Sequence, residues 1–357
     1  MHTLPHHSDS DTTNPPEENA AQTTASQPPL SPSRTIIIGL SGPSSSGKTT
    51  LARLLRSVFN VGVQGGPGEN GKEYRLSLFI LHQDDFYKTD RDVPWVTISS
   101  AKHGTRTDQD WDCVGSLDLP LFRRTLTHIR DHGTLPPDNV SMEDQNSVGD
   151  VHVTAEEIET VKGEVKSWFE RLVLSSSQTQ AQTQAGSATK DEFPREIRIC
   201  VLEGFLLFPP SPSSTTFTAA THGLAGDETT DLVELHDLTR SLLNLKLFLP
   251  CTKTQMIERR ERRSGYVTLE GFWKDPPGYV EDLVWVNYRR YHAWMYRDGH
   301  EQEGETEEEF DEEKCREEGV HLFLEKGRGV GKGTMKECLD WGVERVEEAL
   351  TARTPTS

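Results

Sequence analysis

The stretch Thr35-Ile36-Ile37-Ile38-Gly39-Leu40-Ser41-Gly42-Pro43-Ser44-Ser45-Ser46-Gly47-Lys48-Thr49-Thr50 joins a β-branched run to a glycine-rich loop. A helical pattern follows, with Leu51, Leu54, Leu55 and Val58 on one face. The run reads as a buried strand and the spacing after it as an amphipathic helix. Gly42 to Thr49 fits G-x-x-x-x-G-K-[ST], and the strand before it and the helix after it are the setting which that loop needs. Glycines let backbone N–H groups turn inward around phosphate oxygens, and the helix N-terminus adds a favourable dipole. Gly42, Ser44, Ser45, Ser46, Gly47, Lys48, Thr49 and Thr50 are therefore expected to hold a nucleoside triphosphate. Lys48 would reach the β- and γ-phosphates, and the Thr49 hydroxyl would ligate Mg²⁺.

Four further apolar runs lie downstream: Leu76–Leu81, Ile197–Leu202, Leu245–Leu249 and Val320–Leu324. Helical patterns separate them. Leu117, Leu121, Leu126 and Ile129 share a face, with Ser116 as the expected cap. Thr252 would cap a helix carrying Met256, and Val280 to Met295 fits a longer helix. Strands alternating with helices predict an α/β fold with a parallel sheet and crossovers.

Composition limits the function classes. The 357 residues carry a net charge of −19, which argues against a nucleic-acid backbone as the main partner. No run of about 18 apolar residues occurs, so no membrane-spanning helix is expected. Five well-separated cysteines without a C-x-x-C pair fit reduced thiols in the cytoplasm, with the nucleus as the alternative. Only 33% of residues are hydrophobic, so part of the chain is expected outside the core. Residues 1–34 are rich in Ser, Thr, Pro and Gln, and are expected to be a disordered tail without a leader peptide. Residues 35–350 would form a single domain, and 351–357 a flexible end. Segments near 60–75, 139–195, 209–240 and 298–318 read as insertions, with an amphipathic helix near Ala155–Val173. Residues 298–318 hold 12 acids and 2 bases, a net of −10, and read as a solvated run.

The loop alone does not say what becomes of the γ-phosphate. The chain has neither an N-K-x-D tetrad, as a GTPase would carry, nor an L-S-G-G-Q-like segment, as a transporter ATPase would. A kinase of a small acceptor is the remaining expectation. Asp84 and Asp85 follow the Leu76–Leu81 strand, where open α/β sheets bind ligands. One of them would accept the proton of an attacking hydroxyl; the alternative is a cap or a turn. In Gln109-Asp110-Trp111-Asp112, an aromatic beside a carboxylate could stack on a base and grip ribose, or simply pack. Glu203 ends an apolar strand, a usual position for a Mg²⁺ contact. Arg259, Arg260, Arg262 and Arg263 form either a solvated helix face or a cationic clamp on phosphate. Spacing does not say which of them points inward.

Taken together, these segments resemble the nicotinamide riboside kinase family, of the uridine kinase-like branch of P-loop kinases, in a fungal-type form with long insertions. The resemblance rests on the Ile36–Gly42 run into the loop, Gln83-Asp84-Asp85-Phe86-Tyr87-Lys88, Asp110-Trp111-Asp112 and Leu202-Glu203-Gly204-Phe205-Leu206-Leu207-Phe208. The arginine cluster, Pro276-Pro277-Gly278-Tyr279 and Val284-Trp285 add to it. It implies a P-loop fold of five parallel strands, helices on both faces and a small lid bearing arginines. It also implies an ATP- and Mg²⁺-dependent kinase of a small nucleoside, without nucleic-acid or membrane partners. Protein partners are not legible.

By that resemblance, Asp84 is the general base and Lys48, Arg259, Arg262 and Arg263 stabilise the transferring phosphoryl group. Thr49 and Glu203 hold the metal. Asp84, Asp85, Trp111 and Asp112 bind the acceptor, with Trp111 against the nicotinamide ring and Asp112 on the ribose hydroxyls. The D-H-P-D-A-F-D-like string that uridine kinases typically show is absent at Asp108–Asp112, which favours nicotinamide riboside over uridine; a uridine, cytidine or other small-metabolite kinase is the alternative. A catalytically silent nucleotide-binding regulator is the reading from a different class.

Overall fold

The Ile-rich run forms a strand, β1 (Ser33–Ser41), and the loop after it leads into helix α1 (Lys48–Phe59). This architecture comes from a computed structural model that describes residues 33–66, 71–139, 141, 151–182, 193–224, 226–263, 265–268, 271–297, 309–324 and 327–352. The expected tail lies outside the described residues except for Ser33 and Arg34, which open β1. Residues 298–308 of the acidic run and 353–357 of the C-terminal end also lie outside them.

Along the chain the next elements are β2 (Val61–Gln64), β3 (Glu73–His82), a hairpin of β4 (Trp95–Ser100) and β5 (Gly104–Gln109), and α2 (Leu119–His132). Then come α3 (Ala155–Gln182), β6 (Glu196–Gly204), α4 (Thr215–Thr221), α5 (Gly226–Leu242), β7 (Leu245–Phe248) and α6 (Lys253–Glu261). A short antiparallel pair, β8 (Tyr266–Thr268) and β9 (Gly271–Trp273), precedes α7 (Trp285–His292), α8 (Glu312–Glu317), β10 (Val320–Leu322) and α9 (Met335–Thr351).

The main sheet has the order β10-β7-β1-β6-β3-β2. Its five parallel strands are the five apolar runs. The sheet nevertheless has six strands rather than five, because β2 pairs antiparallel with β3 at the edge, Val61 opposite Leu76. Only Val61 and Val63 of β2 turn inward. Two apolar residues beside a glycine-rich stretch are too short an alternation to stand out in sequence.

Alternation along the parallel strands feeds two cores. Ile36, Ile38, Leu40, Ile199 and Val201 pack with α1, α3 and α9, whereas Ile37, Cys200, Leu202 and Phe248 pack with α2, α5 and α7. Helices therefore cover both faces, as continuous apolar strands require. The stretch 209–240 carries α4 and most of α5, and Leu232, Leu235 and Leu238 of α5 are buried in the second core. The cap of α2 is Asp118, whose carboxylate accepts from Leu121 N. Ser116, the expected cap, instead donates to the carbonyls of Trp111 and Cys113. Thr252 and Gln255 form a capping box on α6.

Helix α3 buries Val161, Val165, Phe169 and Val173 on one stripe against α1 and β2. Phe169 is fully buried. Phe169→Ala is expected to lower unfolding stability by about 3–5 kcal/mol in urea titration. A loss under about 1 kcal/mol would mean that α3 is not part of the cooperative core.

Candidate active site

The loop between β1 and α1 depends on backbone that only certain residues tolerate. Gly42 has φ 150°, and a Cβ there would lie 2.2 Å from the Leu249 carbonyl oxygen. Gly47 has φ 104° and caps α1 without a side-chain bond, so the first N–H groups of the helix stay turned toward the loop. Ser45 takes the left-handed region at φ 61°. The hydroxyls of Ser45 and Ser46 are buried without a hydrogen-bond partner among the described residues. Buried donors of this kind, with a free helix N-terminus, fit a phosphate ligand.

Lys48 is buried and donates to the carbonyls of Gly42 (3.0 Å) and Pro43 (2.9 Å). Burial lowers its pKa, and the nearby Glu203 and Asp84 carboxylates oppose that shift. Glu203, at the C-terminal end of β6, accepts from Thr49 Oγ1 at 2.9 Å and lies 2.7 Å from His82 Nδ1. An ionised carboxylate only accepts, so Nδ1 of His82 carries the proton in this bond. Burial would raise the Glu203 pKa, but His82, Lys48 and Thr49 outweigh it and hold the carboxyl below its usual range. Thr49 and Glu203 offer only oxygen donors, a set that fits a small hard cation such as Mg²⁺.

Register explains the placement. His82 lies opposite Glu203 in the β3–β6 ladder, and Leu40 lies opposite Glu203 in the β1–β6 ladder. Just beyond, Gln83–Phe86 form a 3₁₀ turn that carries Asp84 and Asp85, both half-buried. Gln83 fixes this turn by donating to Leu206 O (2.7 Å) and accepting from Leu206 N (3.0 Å). A Cβ on Gly204 would meet Gln83 Oε1 at 2.4 Å, so the glycine makes room for the clasp.

Trp111 and Asp112 are both buried. Trp111 meets Tyr87 edge-on at 5.4 Å and Trp273 at 5.9 Å between ring centres. The backbone N–H of Trp111 donates to Tyr279 Oη, which in turn donates to Gln109 O. Asp112 shares a cleft of about 240 Å³ with Ser44, Phe205 and Tyr288. Burial raises the Asp112 pKa, against the pull of Arg260 and Lys48.

The arginine cluster resolves into distinct positions. Arg260 is the buried one. It donates to Ser44 Oγ (2.8 Å), grips Asp275 through two bonds of 2.8 and 3.0 Å, and lies 3.7 Å from Asp112. Arg259 donates to Ser45 O at 3.2 Å. Arg262 is exposed and pairs with Glu258 one turn back. Arg263 is exposed in position, but its charge is felt at Lys48 and Asp275.

Sequence reasoning gave no role at the site to His82, Trp273, Tyr279, Asn287 or Asp275. A histidine before Q-D-D and an aspartate before Pro-Pro-Gly were the only local signals. Their partners lie far away in the chain.

Three fungal proteins align with most of this chain. The nicotinamide riboside kinase of Schizosaccharomyces pombe is 29% identical over 266 residues, 74% of this chain and 83% of that protein. That of Saccharomyces cerevisiae is 26% identical, over 74% of this chain and 81% of its own length. That of Eremothecium gossypii is 24% identical over 263 residues, covering 74% and 78%. The chain is thus similar to nicotinamide riboside kinases over about three quarters of its length. No protein-family model matches it.

Next to the aromatic wall, Asp110 is buried and accepts two bonds from Asn287 Nδ2, at 2.9 and 2.8 Å. Burial nevertheless raises its pKa from 3.8 to about 7. Between those values the folded state holds a proton that the unfolded chain has released, so stability falls as pH rises across the window. Asp110→Asn is expected to flatten that fall in melting temperatures taken from pH 4 to 8. An unchanged slope would assign the titration to another group.

Proposed function

We propose that this chain transfers the γ-phosphoryl group of ATP to the ribose 5′-hydroxyl of nicotinamide riboside, giving the mononucleotide that feeds NAD biosynthesis. Nicotinic acid riboside is a further acceptor in this reading. The observation that carries it is the convergence of Lys48, Thr49, Glu203 and Asp84 at the strand ends, beside Asp112 and an aromatic wall. The curated relatives are named for this activity.

In the proposed reaction, Gly42–Thr50 cradle the triphosphate and Lys48 leaves the loop carbonyls for the β- and γ-phosphates. Asp112 binds the ribose hydroxyls. Asp84 takes the 5′-hydroxyl proton as that oxygen bonds to the γ-phosphorus; the bond to the β,γ-bridging oxygen breaks and ADP leaves. Thr49 and Glu203 would hold Mg²⁺, which neutralises phosphate charge when bound. His82 keeps Glu203 ionised and fixed in rotamer.

Arg260 and Arg259 already touch the loop, so they, with Arg263, are better placed as phosphate clamps than Arg262. Asp85 is assigned to acceptor binding by its position beside Asp84. Trp111, with Trp273 opposite, offers π-faces to a cationic pyridinium, which a uridine or cytidine base would exploit less. The full set of phosphate-handling groups argues against a silent regulator.

The deciding experiment is phosphorylation by the purified chain with ATP and Mg²⁺, offering nicotinamide riboside, nicotinic acid riboside, uridine and cytidine separately. Preferred conversion of nicotinamide riboside is expected. Activity confined to uridine or cytidine, or no product from any acceptor while ATP binds, would overturn the assignment.

Two variants test the roles. Asp84→Asn is expected to lower kcat by about 10²–10⁴-fold with ATP affinity unchanged; near-normal turnover would remove Asp84 as the base. Trp111→Ala is expected to raise KM for the acceptor more than for ATP, and equal effects would place Trp111 outside the acceptor site.

A further inference from the structure

Strand β7 reads Leu245-Lys246-Leu247-Phe248, and the lysine breaks an otherwise apolar pattern. Leu245 and Leu247 enter one core, while Phe248 enters the other. Lys246 therefore lies on the Phe248 face of a parallel strand, pairing with Gly39 and Val320 on its two sides. Both faces of such strands are normally apolar, so a cation there calls for a reason.

Lys246 lines a partly open cleft at the β7–β10 side of the sheet. Leu207 and Trp294 supply apolar lining, and Ser214 and Thr239 lie at the cleft as polar groups. Arg240, from the last turn of α5, and Lys314, from α8, line it with Lys246. Neither Arg240 nor Lys314 forms an ion pair among the described residues, and Lys246 donates to the Glu318 carbonyl at 2.9 Å. Glu318 is the one carboxylate among the described lining residues.

Burial lowers the Lys246 pKa; the Glu318 carboxylate opposes that shift and the neighbouring Arg240 adds to it. Like charges held together in a partly desolvated cleft gain from an anion between them. None of the lining residues belongs to the cleft that joins Ser44 to Asp112.

We propose that this cleft is a second ligand site, which binds a small organic phosphate. Arg240, Lys246 and Lys314 hold the phosphate, and the organic part rests on Leu207 and Trp294. The site does not depend on the reaction proposed above.

The test is calorimetric titration of the full chain with phenyl phosphate, after its phosphate loop is saturated with a non-hydrolysable ATP analogue and Mg²⁺. One further site is expected, with Kd of about 0.1–1 mM. Arg240→Gln, at an exposed position where the fold is safe, and Lys246→Met are each expected to weaken it about tenfold or more. Neutral phenol should not bind. Absence of a second site at ~10 mM ligand, on the weak side of mM affinities, would overturn the proposal. So would unchanged affinity in Arg240→Gln, or inorganic phosphate binding as tightly as phenyl phosphate, which would reduce the cleft to a free-anion site.

Discussion

A carboxylate with 5% of its surface exposed constrains the middle of this molecule. Glu203 sits at the end of a central parallel strand, and a buried charge survives there only if its surroundings replace water. Two neighbouring strands and one helix contribute to that replacement. β3 supplies His82, α1 supplies Thr49 and Lys48, and β1 sets the loop from which Lys48 reaches across. Removing any one partner would leave the others around an uncompensated charge. The strand order and the helix start are thus tied to a single electrostatic arrangement, and the phosphate loop inherits its position from it.

The clasp between Gln83 and Leu206 extends that arrangement sideways. One amide side chain satisfies both backbone groups of Leu206 and so locks the ends of β3 and β6 together. Asp84 and Asp85 follow Gln83 directly, which places their carboxylates relative to Glu203 through a rigid turn rather than a free loop. This accounts in physical terms for two motifs that look unrelated in sequence. The glutamine before the aspartates and the glycine after Glu203 are two halves of one contact.

Much of this was legible because it is local. Five strands announced themselves as apolar runs, and the loop announced itself through its glycines, lysine and threonine. What stayed hidden is set by distant partners or short patterns. β2 has only two inward residues. Asp118 took the cap of α2 because Ser116 was committed to the Trp111 and Cys113 carbonyls. Four arginines in five positions look equivalent until tertiary structure separates them. Arg260 is inward because Asp275, fifteen residues on, meets its guanidinium in fork geometry. No spacing rule reports that pairing. Asn287 likewise finds Asp110 across 177 positions.

The chain is acidic overall, yet cations gather at one loop, and the contrast has consequences. A net of −19 repels anionic ligands at long range, yet Lys48, Arg259, Arg260 and Arg263 cluster at the loop. Salt screens the distant acids within about 10 Å, whereas the cations act at contact through low-dielectric surroundings. Arg260 is also held by Asp275 and faces Asp112, so its charge is partly neutralised before any phosphate arrives. Phosphate oxygens near Ser44 would compete for the same guanidinium, and any share they take is withdrawn from Asp112. Occupancy of the loop would then loosen the hold on a carboxylate proposed to grip ribose. By the proposed roles, nucleotide and acceptor would in this way be coupled through one buried arginine, without requiring a large movement of the fold.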